Sequence, residues 1–403
     1  MFHSMNPDWK PKDNPAASPD RSKDRYLVDA VLRACDILEA FQVEDELLRL
    51  HDLVARTKMN KTTVFRILCT LEKRGLVELV GARQYRSNIK TLQRKKFRLG
   101  YCALSSEIGF SRIVTESLQR TAAEERVDLI ALDNHYNSKQ AVRNIDMLIR
   151  EKVDLVFQHQ GDEHLAPIIA SKIHEAGIPM IAIHVPHPGA NYFGPDNYTA
   201  GVVGGRYLGR WVKQNWQGRI DEIILLEYPR AGLFARSRLT GTVVGLKEIL
   251  PDIEDSRVVF LNGQANFGAS LEAARKHLRR GTKAERTVVS GVDDPSTIGA
   301  LRAFEEAGRG DHCVALGHGG SPEARAELRR PRTRMVASVA YFPEKYGDGL
   351  MSLALQILNS KSVPPAVFIK HQLMSPANVD HLYPTDSLKG SAEMTTILLG
   401  GTA

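Results

Sequence analysis

Short polar and basic side chains are clustered over residues 60–66, at the start of a segment with helical periodicity. Side chains of these types donate hydrogen bonds to phosphate oxygens and to base edges in the DNA major groove. Arg83 and Arg86 follow in a later segment, placed to contact backbone phosphates or an adjacent minor groove. These residues predict a surface that binds double-stranded DNA. The first cluster consists of Asn60, Lys61, Thr62, Thr63 and Arg66.

Three helices and a hairpin would position these side chains. The apolar spacing predicts helices over 26–41 and near 48–57, and a third that begins after Asn60 as its N-cap and ends at Gly75. Residues 76–87 alternate apolar and polar side chains, as a β-hairpin does. This layout is that of a winged helix-turn-helix. The periodicity alone equally fits an amphipathic helix with a solvated basic face.

The local sequence resembles the N-terminal domain of the isocitrate-lyase-regulator (IclR-type) transcription factors. The resemblance covers about residues 25–87 and is carried by LHDLVARTKMNKTTVFRILCTLEKRGLVEL. It implies a transcription regulator that binds an operator as a homodimer, because such readers usually contact two half-sites. Lys58 stands where that family usually has Gly, so the turn between the second and third helices is expected to differ slightly.

The charge distribution also favours DNA binding by the N-terminal part of the chain. The 403 residues carry a net charge of +7, and residues 1–96 contain 19 Lys and Arg against 13 Asp and Glu. The rest of the chain is almost balanced, with 35 against 34. A basic excess confined to one end is expected where that end alone meets a polyanion. A solvated basic face would give the same excess.

From Phe97 onward, short apolar strands alternate with amphipathic helices. Strands separated in this way predict an α/β fold with parallel sheets covered by helices on both faces, and their number suggests two sheets. The candidate strands are 97–104, 127–133, 153–159, 178–184, 221–228, 257–262, 286–291, 312–317 and 335–340.

This region resembles the type I periplasmic sugar-binding proteins and the equivalent domain of lactose-repressor-type regulators. The resemblance covers about 97–385, and its segments keep that family's order: KFRLGYCALSSEIGFSRIVTESLQRTAAE, the Asp196–Asn197 crossover, ARSRLTGTVVGLKEIL, VVSGVDDPSTIGALRAFEEAG, ALGHGGSPEA and VASVAYFPEKYG. It implies two lobes joined by three crossovers, with the ligand between them at the carboxyl ends of both sheets. The N-lobe is expected over about 97–195 and 342–365, and the C-lobe over about 196–341 and 366–385.

The resemblance also implies which residues contact the ligand. Carboxylates and Arg make charge-assisted hydrogen bonds to hydroxyl pairs, and aromatic rings pack on the apolar face of a sugar. His184 and Gly319 stand where that family commonly has Asp, which leaves a sugar, a sugar acid and a sugar phosphate open as the effector. Each of these positions taken alone also fits a loop residue that hydrogen-bonds to the backbone or to water. The implied contacts are Glu107, Phe110, Gln158, His184, Arg236, Phe267, Asp293 and Tyr341.

Several other patterns do not predict chemistry. No metal is expected from a group of four His residues, because they come from different loops without an HxxxH pairing: His159, His164, His184 and His187. GVVGGRYLG lacks the spacing of a dinucleotide fingerprint, and small residues that pack a helix against its sheet explain it better. Asp293–Asp294 and Ser105–Ser106 have no partner for catalysis. The sequence therefore predicts no enzyme, catalytic residue, metal or cofactor, and buried free thiols at Cys35, Cys69 and Cys102.

The predicted organisation is a disordered tail over 1–24, a DNA-binding domain over 25–87, a basic linker over 88–96, a sensing domain over 97–385 and a tail over 386–403. The N-terminus lacks the apolar core of a signal peptide and no apolar run spans a bilayer, so a cytoplasmic protein without membrane contact is expected. The predicted function is a ligand-responsive transcription regulator. A solute-binding component of a carbohydrate uptake system, and an enzyme of similar ancestry, remain as alternatives.

Overall fold

The computed structural model describes residues 27–42, 46–81, 83–88 and 97–386. These residues form two compact units, one before and one after the segment 89–96. The tails expected over 1–24 and 386–403 and the linker expected over 88–96 lie outside the described residues, apart from Asn88 and Asp386. No helix in the described ranges is long and apolar enough to cross a membrane.

The first unit contains three helices and a small antiparallel sheet. The strands lie in the order β1–β3–β2, so Leu48–Arg49 adds a third strand to the predicted hairpin. The apolar sides of the helices meet in a core that includes Leu53, Val64 and Leu68, all fully buried. The elements are α1 (Asp29–Glu39), β1 (Leu48–Arg49), α2 (Leu50–Thr57), α3 (Lys61–Lys73), β2 (Val77–Val80) and β3 (Gln84–Ser87).

Helix α1 differs from the sequence prediction. Leu27, just before the helix, and Val31, in its first turn, are exposed at 48% and 58% of their full accessible area. Only Ile37 and Leu38 within the helix are buried. The predicted apolar stripe therefore packs only at the C-terminal end of the helix. Cys35 and Cys69 are exposed, contrary to the expectation of buried thiols, whereas Cys102 and Cys313 are buried.

The start of the predicted reading helix is confirmed. The Asn60 side chain accepts a hydrogen bond from the Thr63 N–H at 2.8 Å, as an N-cap does. Lys58, where the resembled family usually has Gly, adopts a left-handed φ of +54°. Such a φ is costly for a residue with a Cβ atom, which explains why Gly is favoured there.

The second unit contains two six-stranded sheets. The first, in the N-lobe, is entirely parallel in the order β14–β8–β7–β6–β4–β5, with helices on both faces. Its strands are β4 (Arg98–Ala103), β5 (Asp128–Asp133), β6 (Leu155–His159), β7 (Met180–Ile183), β8 (Asn191–Pro195) and β14 (Ala366–Ile369). Its helices are α4 (Gly109–Glu124) and α12 (Tyr346–Leu358) on one face, and α5 (Ser138–Arg150) and α6 (Ala166–Glu175) on the other.

The second sheet, in the C-lobe, has the order β10–β9–β11–β12–β13–β15, and only β15 runs antiparallel to its neighbour. Its strands are β9 (Glu222–Glu227), β10 (Val258–Asn262), β11 (Thr287–Gly291), β12 (Cys313–Gly319), β13 (Met335–Ala340) and β15 (Gln372–Met374). Its helices are α7 (Asn197–Asn215) and α8 (Gly232–Ile249) on one face, and α9 (Phe267–Arg279), α10 (Asp294–Glu306), α11 (Pro322–Arg329) and α13 (Val379–Leu382) on the other.

The chain crosses between the two lobes three times, near residues 196, 341–345 and 370–371. The third crossing corrects the expected boundary, because β14 pairs with β8 in the first sheet. The stretch 366–369 therefore belongs to the N-lobe, and the C-lobe resumes only with β15. Sequence alone did not separate these two short strands because two residues divide them.

Helices α7 and α8 approach each other closely through glycines. A Cβ atom built on Gly205 would lie 2.1 Å from the Thr242 carbonyl oxygen, and one built on Gly241 would lie 2.2 Å from the Tyr198 carbonyl oxygen. Only Gly204 in this run faces the sheet, against Leu316. The glycine run therefore packs mainly helix against helix, whereas the sequence indicated packing against the sheet.

We expect Gly205→Ala to lower the free energy of unfolding of the second unit by about 1–3 kcal/mol. The added methyl group would meet main-chain atoms of α8, which cannot rotate away. Urea unfolding followed by circular dichroism would measure the loss. Gly268→Ala, in helix α9 where the nearest atom would be 3.4 Å away, is the matched control. Equal stability of the two variants would contradict the close approach.

Candidate ligand cavity and nucleic-acid interface

A cavity of about 150 Å³ lies between the two lobes of the second unit. The N-lobe contributes residues that follow β4, β5, β6 and β7, and the C-lobe contributes residues from α8 and from the ends of β9, β11 and β12. These are the carboxyl ends of the parallel strands, where open α/β sheets bind ligands. A cavity of roughly this volume accommodates one six-membered ring.

Aromatic and imidazole rings form the N-lobe side of the cavity. The Phe110 and His184 rings are 5.4 Å apart, and the His159 and His184 rings are 5.2 Å apart. His184 Nε2 lies 2.7 Å from the Tyr346 hydroxyl, which fixes the orientation of the imidazole. His159 lines the cavity, and its buried Nδ1 has no hydrogen-bond partner among the described residues.

The imidazoles of the cavity are held neutral by burial. Burial lowers the pKa of His159 to about 4. Burial, and after it the neighbouring His159 and Arg238, holds the pKa of His184 well below its ordinary value. The pKa of His318 is also held well below its ordinary value, by burial and then by Arg238. Neutral imidazoles can both donate and accept hydrogen bonds, as polyol hydroxyl groups require.

Arg238 is the cation on the C-lobe side of the lining. Its guanidinium donates to Asn197 Oδ1 at 2.6 and 3.1 Å and to the Val292 carbonyl oxygen, and it lies 5.1 Å from the centre of the Tyr341 ring. No carboxylate in the described part of the chain lies within ion-pair distance of it. These neutral acceptors hold the buried guanidinium in place and leave donor capacity for a ligand.

Two adjacent carboxylates begin helix α10. Asp293 is its N-cap and accepts the Ser296 N–H at 2.9 Å, and the residue lines the cavity, where a carboxylate can accept from a ligand hydroxyl. Asp294 accepts from Ser338 Oγ and the Ser321 N–H at 2.6 and 2.8 Å, so its bonds join neighbouring loops. Burial raises the pKa of Asp294 to about 6 and also raises the pKa of Asp293.

Contacts across the cleft hold the lobes together at two sides of the cavity. On one side, Arg230 of the C-lobe pairs with Asp162 of the N-lobe at 2.6 Å. On the other side, the Glu323 carboxylate of the C-lobe lies against Gly109 of the N-lobe. A Cβ atom built on Gly109 would lie 2.8 Å from Glu323 Oε1. Gly109 is the first residue of α4, so the positive end of that helix faces a carboxylate of the opposite lobe.

Of the eight ligand contacts expected from the sequence, half lie on the lining and the others lie elsewhere. Glu107 is exposed in the loop before α4, and Phe267 is 41% exposed at the start of α9. Gln158 is fully buried inside β6, with both polar side-chain atoms unpartnered. The four that the structure brings together at the cavity are Phe110, His184, Asp293 and Tyr341.

Arg236 is displaced from its expected place by helix geometry. Its guanidinium is paired with Glu227 at 3.2 Å and lies over the Phe260 ring, outside the cavity. Arg238 lines the cavity instead. Two residues along a helix correspond to a rotation of about 200°, so only one of the two Arg side chains can face the cleft.

The sequence analysis missed other residues on the lining. The signal that could have found most of them is their position at the carboxyl end of a predicted strand or at the start of the following helix. These residues are Tyr136, His159, Asn197, Tyr228, Asp294 and His318, together with Arg238.

In the first unit, the predicted DNA contacts lie on one end of α3 and on the hairpin. Lys61, Thr62 and Arg66 are exposed, and Thr63 is half-buried. The Asn60 side-chain oxygen Oδ1 is engaged as the helix cap, where it accepts from the Thr63 N–H. On the hairpin, Arg83 is exposed with a φ of +121°, and Arg86 forms an ion pair with Glu78.

Within the described ranges, no group of three or more His, Cys, Asp or Glu side chains is arranged to hold a metal ion. The imidazoles at the cavity instead contact aromatic rings, hydroxyl groups and one another.

Comparisons with known families divide the chain at the same place as the structure. The family described as "Periplasmic binding protein domain" matches residues 99–362, and the family described as "IclR helix-turn-helix domain" matches residues 30–81. The resemblances of both halves are thereby confirmed. No curated protein matches the chain.

Solved structures similar to the second unit include three sugar- or polyol-binding proteins. A periplasmic solute-binding protein of Actinobacillus succinogenes with bound D-allose has 19% identity and a TM-score of 0.62, over 71% of this chain and all of that one. A solute-binding protein of Bacillus halodurans with bound myo-inositol has 18% identity and a TM-score of 0.61, over 72% and 99%. A galactofuranose-binding protein has 17% identity and a TM-score of 0.63, over 72% and 98%. At these identities the likeness shows the fold.

We expect stability to fall as the pH drops from 6.5 to 4, because unfolded His159 takes up a proton that the buried side chain resists. A folded pKa of about 4, against an ordinary value of 6.5, corresponds to about 3 kcal/mol that is present above pH 6.5 and lost towards pH 4. Urea unfolding at several pH values would show a shallower dependence in His159→Gln. His174→Gln, on the exposed face of α6, should keep the original slope. An unchanged slope in His159→Gln would refute the assignment.

Proposed function

The chain belongs to the periplasmic binding protein domain family, and we propose that it joins this domain to its IclR helix-turn-helix domain as a DNA-binding transcription regulator that senses a sugar or a sugar derivative. The observation that carries the proposal is the ring-sized cavity at the carboxyl ends of both sheets, in the same chain as a basic reading helix. The proposed site of action is the cytoplasm, where the operator would be found.

The chemistry of the cavity supports a sugar-like ligand. Phe110 and Tyr341 offer ring faces for the apolar side of a sugar, and the Asp293 carboxylate can accept from a hydroxyl group. His159 and Arg238 supply further hydrogen-bonding atoms that are shielded from water. The lining of mixed rings and few polar atoms is typical of small-molecule sites.

Ligand binding would act through closure of the two lobes. A ligand in the cavity touches both lobes, and it shifts the open–closed equilibrium only as far as it prefers the closed form. The ion pair between Asp162 and Arg230 contributes about 1 kcal/mol or less, because Arg230 is 61% exposed. Because this ion pair is weak, contacts made by the ligand can decide the equilibrium between the open and closed forms.

In a homodimer, the two helix-turn-helix domains would each contact one half-site of the operator. Lys61, Thr62 and Arg66 lie on the exposed N-terminal half of α3, the part of a recognition helix that reaches base edges. Lobe closure would change the spacing of the two helix-turn-helix domains and thereby the affinity for the operator. Arg83 and Arg86 on the hairpin would contact the DNA backbone.

A solute-binding component of a carbohydrate uptake system is the second candidate. The similarity of the second unit to solute-binding proteins of transporters favours it. The helix-turn-helix domain over residues 30–81 argues against it, because uptake has no use for operator binding. Specific operator binding by the purified chain would decide between the two functions.

The experiment that tests the proposal measures operator affinity with and without sugars. The full chain would first select its operator from fragmented genomic DNA, and gel shifts would follow with D-allose, myo-inositol, D-galactose and glycerol. At least one compound should change the operator Kd by about 5- to 150-fold, the usual range of allosteric coupling. A chain that selects no operator, or an operator affinity that no compound changes, would contradict the proposal.

Arg66→Ala should weaken operator binding by about 1–3 kcal/mol and relax the preference at one base position, because an arginine of the reading helix makes direct base contacts. Lys73→Ala removes the same charge from the other end of α3 and is the matched control. Gel shifts with operator DNA and with unrelated DNA distinguish the loss of a base contact from the loss of a positive charge. Equal losses in the two variants would exclude Arg66 as a base contact.

A further inference from the structure

A pair of tyrosines, one from each lobe, stands at the edge of the ligand cavity. Tyr136 follows β5 in the N-lobe and Tyr228 follows β9 in the C-lobe. Their rings are stacked, with centres 6.0 Å apart and planes inclined by 28°. This stack exists only while the lobes are closed, because its members belong to opposite sides of the cleft.

A second, smaller cavity lies directly behind the tyrosine pair. Its volume is about 30 Å³, enough for one water molecule. Tyr136 and Tyr228 line both cavities and form the aromatic part of the wall between them, which also includes Leu104, Gln160 and Gly161. We call the second space the side cavity, and its other lining residues include Asn134, Asn137, Ser138, Asp162 and Arg230.

The chemistry of the side cavity suits a hydroxylated group. Asn137 is the N-cap of α5 and Ser138 donates to Asp162 Oδ2 at 3.1 Å, so a network of amide, hydroxyl and carboxylate groups surrounds the space. Arg230 completes this network from the opposite lobe. Polyol hydroxyls find both donors and acceptors in such a lining.

The backbone holds Tyr136 in place against a conformational cost. His135 and Tyr136 have φ values of +49° and +53°, in the left-handed region that side chains other than Gly rarely adopt. Asp133 stabilises this turn by accepting the His135 N–H at 2.7 Å, and the Tyr136 N–H donates to the Leu104 carbonyl oxygen at 2.9 Å. Strain maintained by surrounding bonds is typical of functional positions.

We propose that Tyr136 and Tyr228 are specificity-determining residues that limit the ligand to a single sugar ring on this side of the cavity. The wall they form keeps a second ring out of the polar space behind it. Removing either ring would vacate a ring-sized space next to the side cavity, and a second sugar ring could then enter where the phenol ring stood. The inference rests on the proposed function, since it takes the ligand to be a sugar.

The test compares single sugars with their disaccharides in the full chain. Isothermal titration would use D-galactose against lactose, D-glucose against maltose and cellobiose, and myo-inositol against galactinol. The variants are Tyr136→Ala and Tyr228→Ala, which open the wall from opposite lobes. Tyr136→Phe keeps the ring, and Tyr198→Ala removes a tyrosine that is 45% exposed on α7, outside both cavities.

The unaltered chain should bind a monosaccharide about 10- to 100-fold more tightly than the matching disaccharide, the fold-change that corresponds to the cost of overpacking. In Tyr136→Ala and Tyr228→Ala this ratio should fall by about tenfold or more. Tyr136→Phe and Tyr198→Ala should preserve it. Circular dichroism melts identify any variant that does not fold, and the opposite-lobe variant then provides the same measurement.

The outcomes separate this inference from the proposed function. Disaccharide binding equal to monosaccharide binding in the unaltered chain would overturn the inference, as would an unchanged ratio in a folded Ala variant. In both cases the sensing function would stand. Absence of binding by every compound, together with an operator affinity that none of them changes, would overturn the proposed function itself.

Discussion

The cavity depends on one constraint, which is that parallel strands present their carboxyl ends at a single edge of a sheet. Both sheets of the second unit turn this edge towards the cleft, so the segments that follow the strands converge there. The central strands are buried and mostly apolar, as in β7 and β13, and the polar groups of the cavity lie at or after the strand ends. His159 ends β6, and Asp293 follows β11 at the start of a helix.

Because polar groups converge at the cleft, the closed form has a raised free energy when no ligand is bound. A buried polar atom without a partner, such as His159 Nδ1, costs about 1–3 kcal/mol. The buried Arg238 side chain donates its hydrogen bonds to neutral acceptors, which stabilise a guanidinium less than a hydrogen-bonded carboxylate would. A ligand that hydrogen-bonds to these groups removes part of the cost in the closed form alone. This difference gives the ligand its influence on closure, and the proposed switch needs no other source of energy.

Most of the fold could be predicted from the sequence, because it follows from local periodicity. The nine apolar runs became strands within a few residues of their expected limits, and Asn60 became the cap of α3. The short strand β8 was missed because it lacks a pattern of its own, and β14 was not separated from β15 because only two residues divide them. Only part of the site was predictable. Arg236 and Arg238 cannot be distinguished without the rotational phase of α8, and the Tyr136–Tyr228 contact joins segments 92 residues apart that only closure brings together.

The central claim is that occupation of the cavity and occupation of the operator are energetically coupled. Coupling between two binding sites is reciprocal, so a sugar that changes the operator affinity must have its own affinity changed by the operator by the same factor. The most direct measurement is isothermal titration of that sugar into the full chain, alone and saturated with operator DNA. The account predicts a shift in the sugar Kd equal to the shift in the operator Kd. A sugar affinity that the operator leaves unchanged would contradict it.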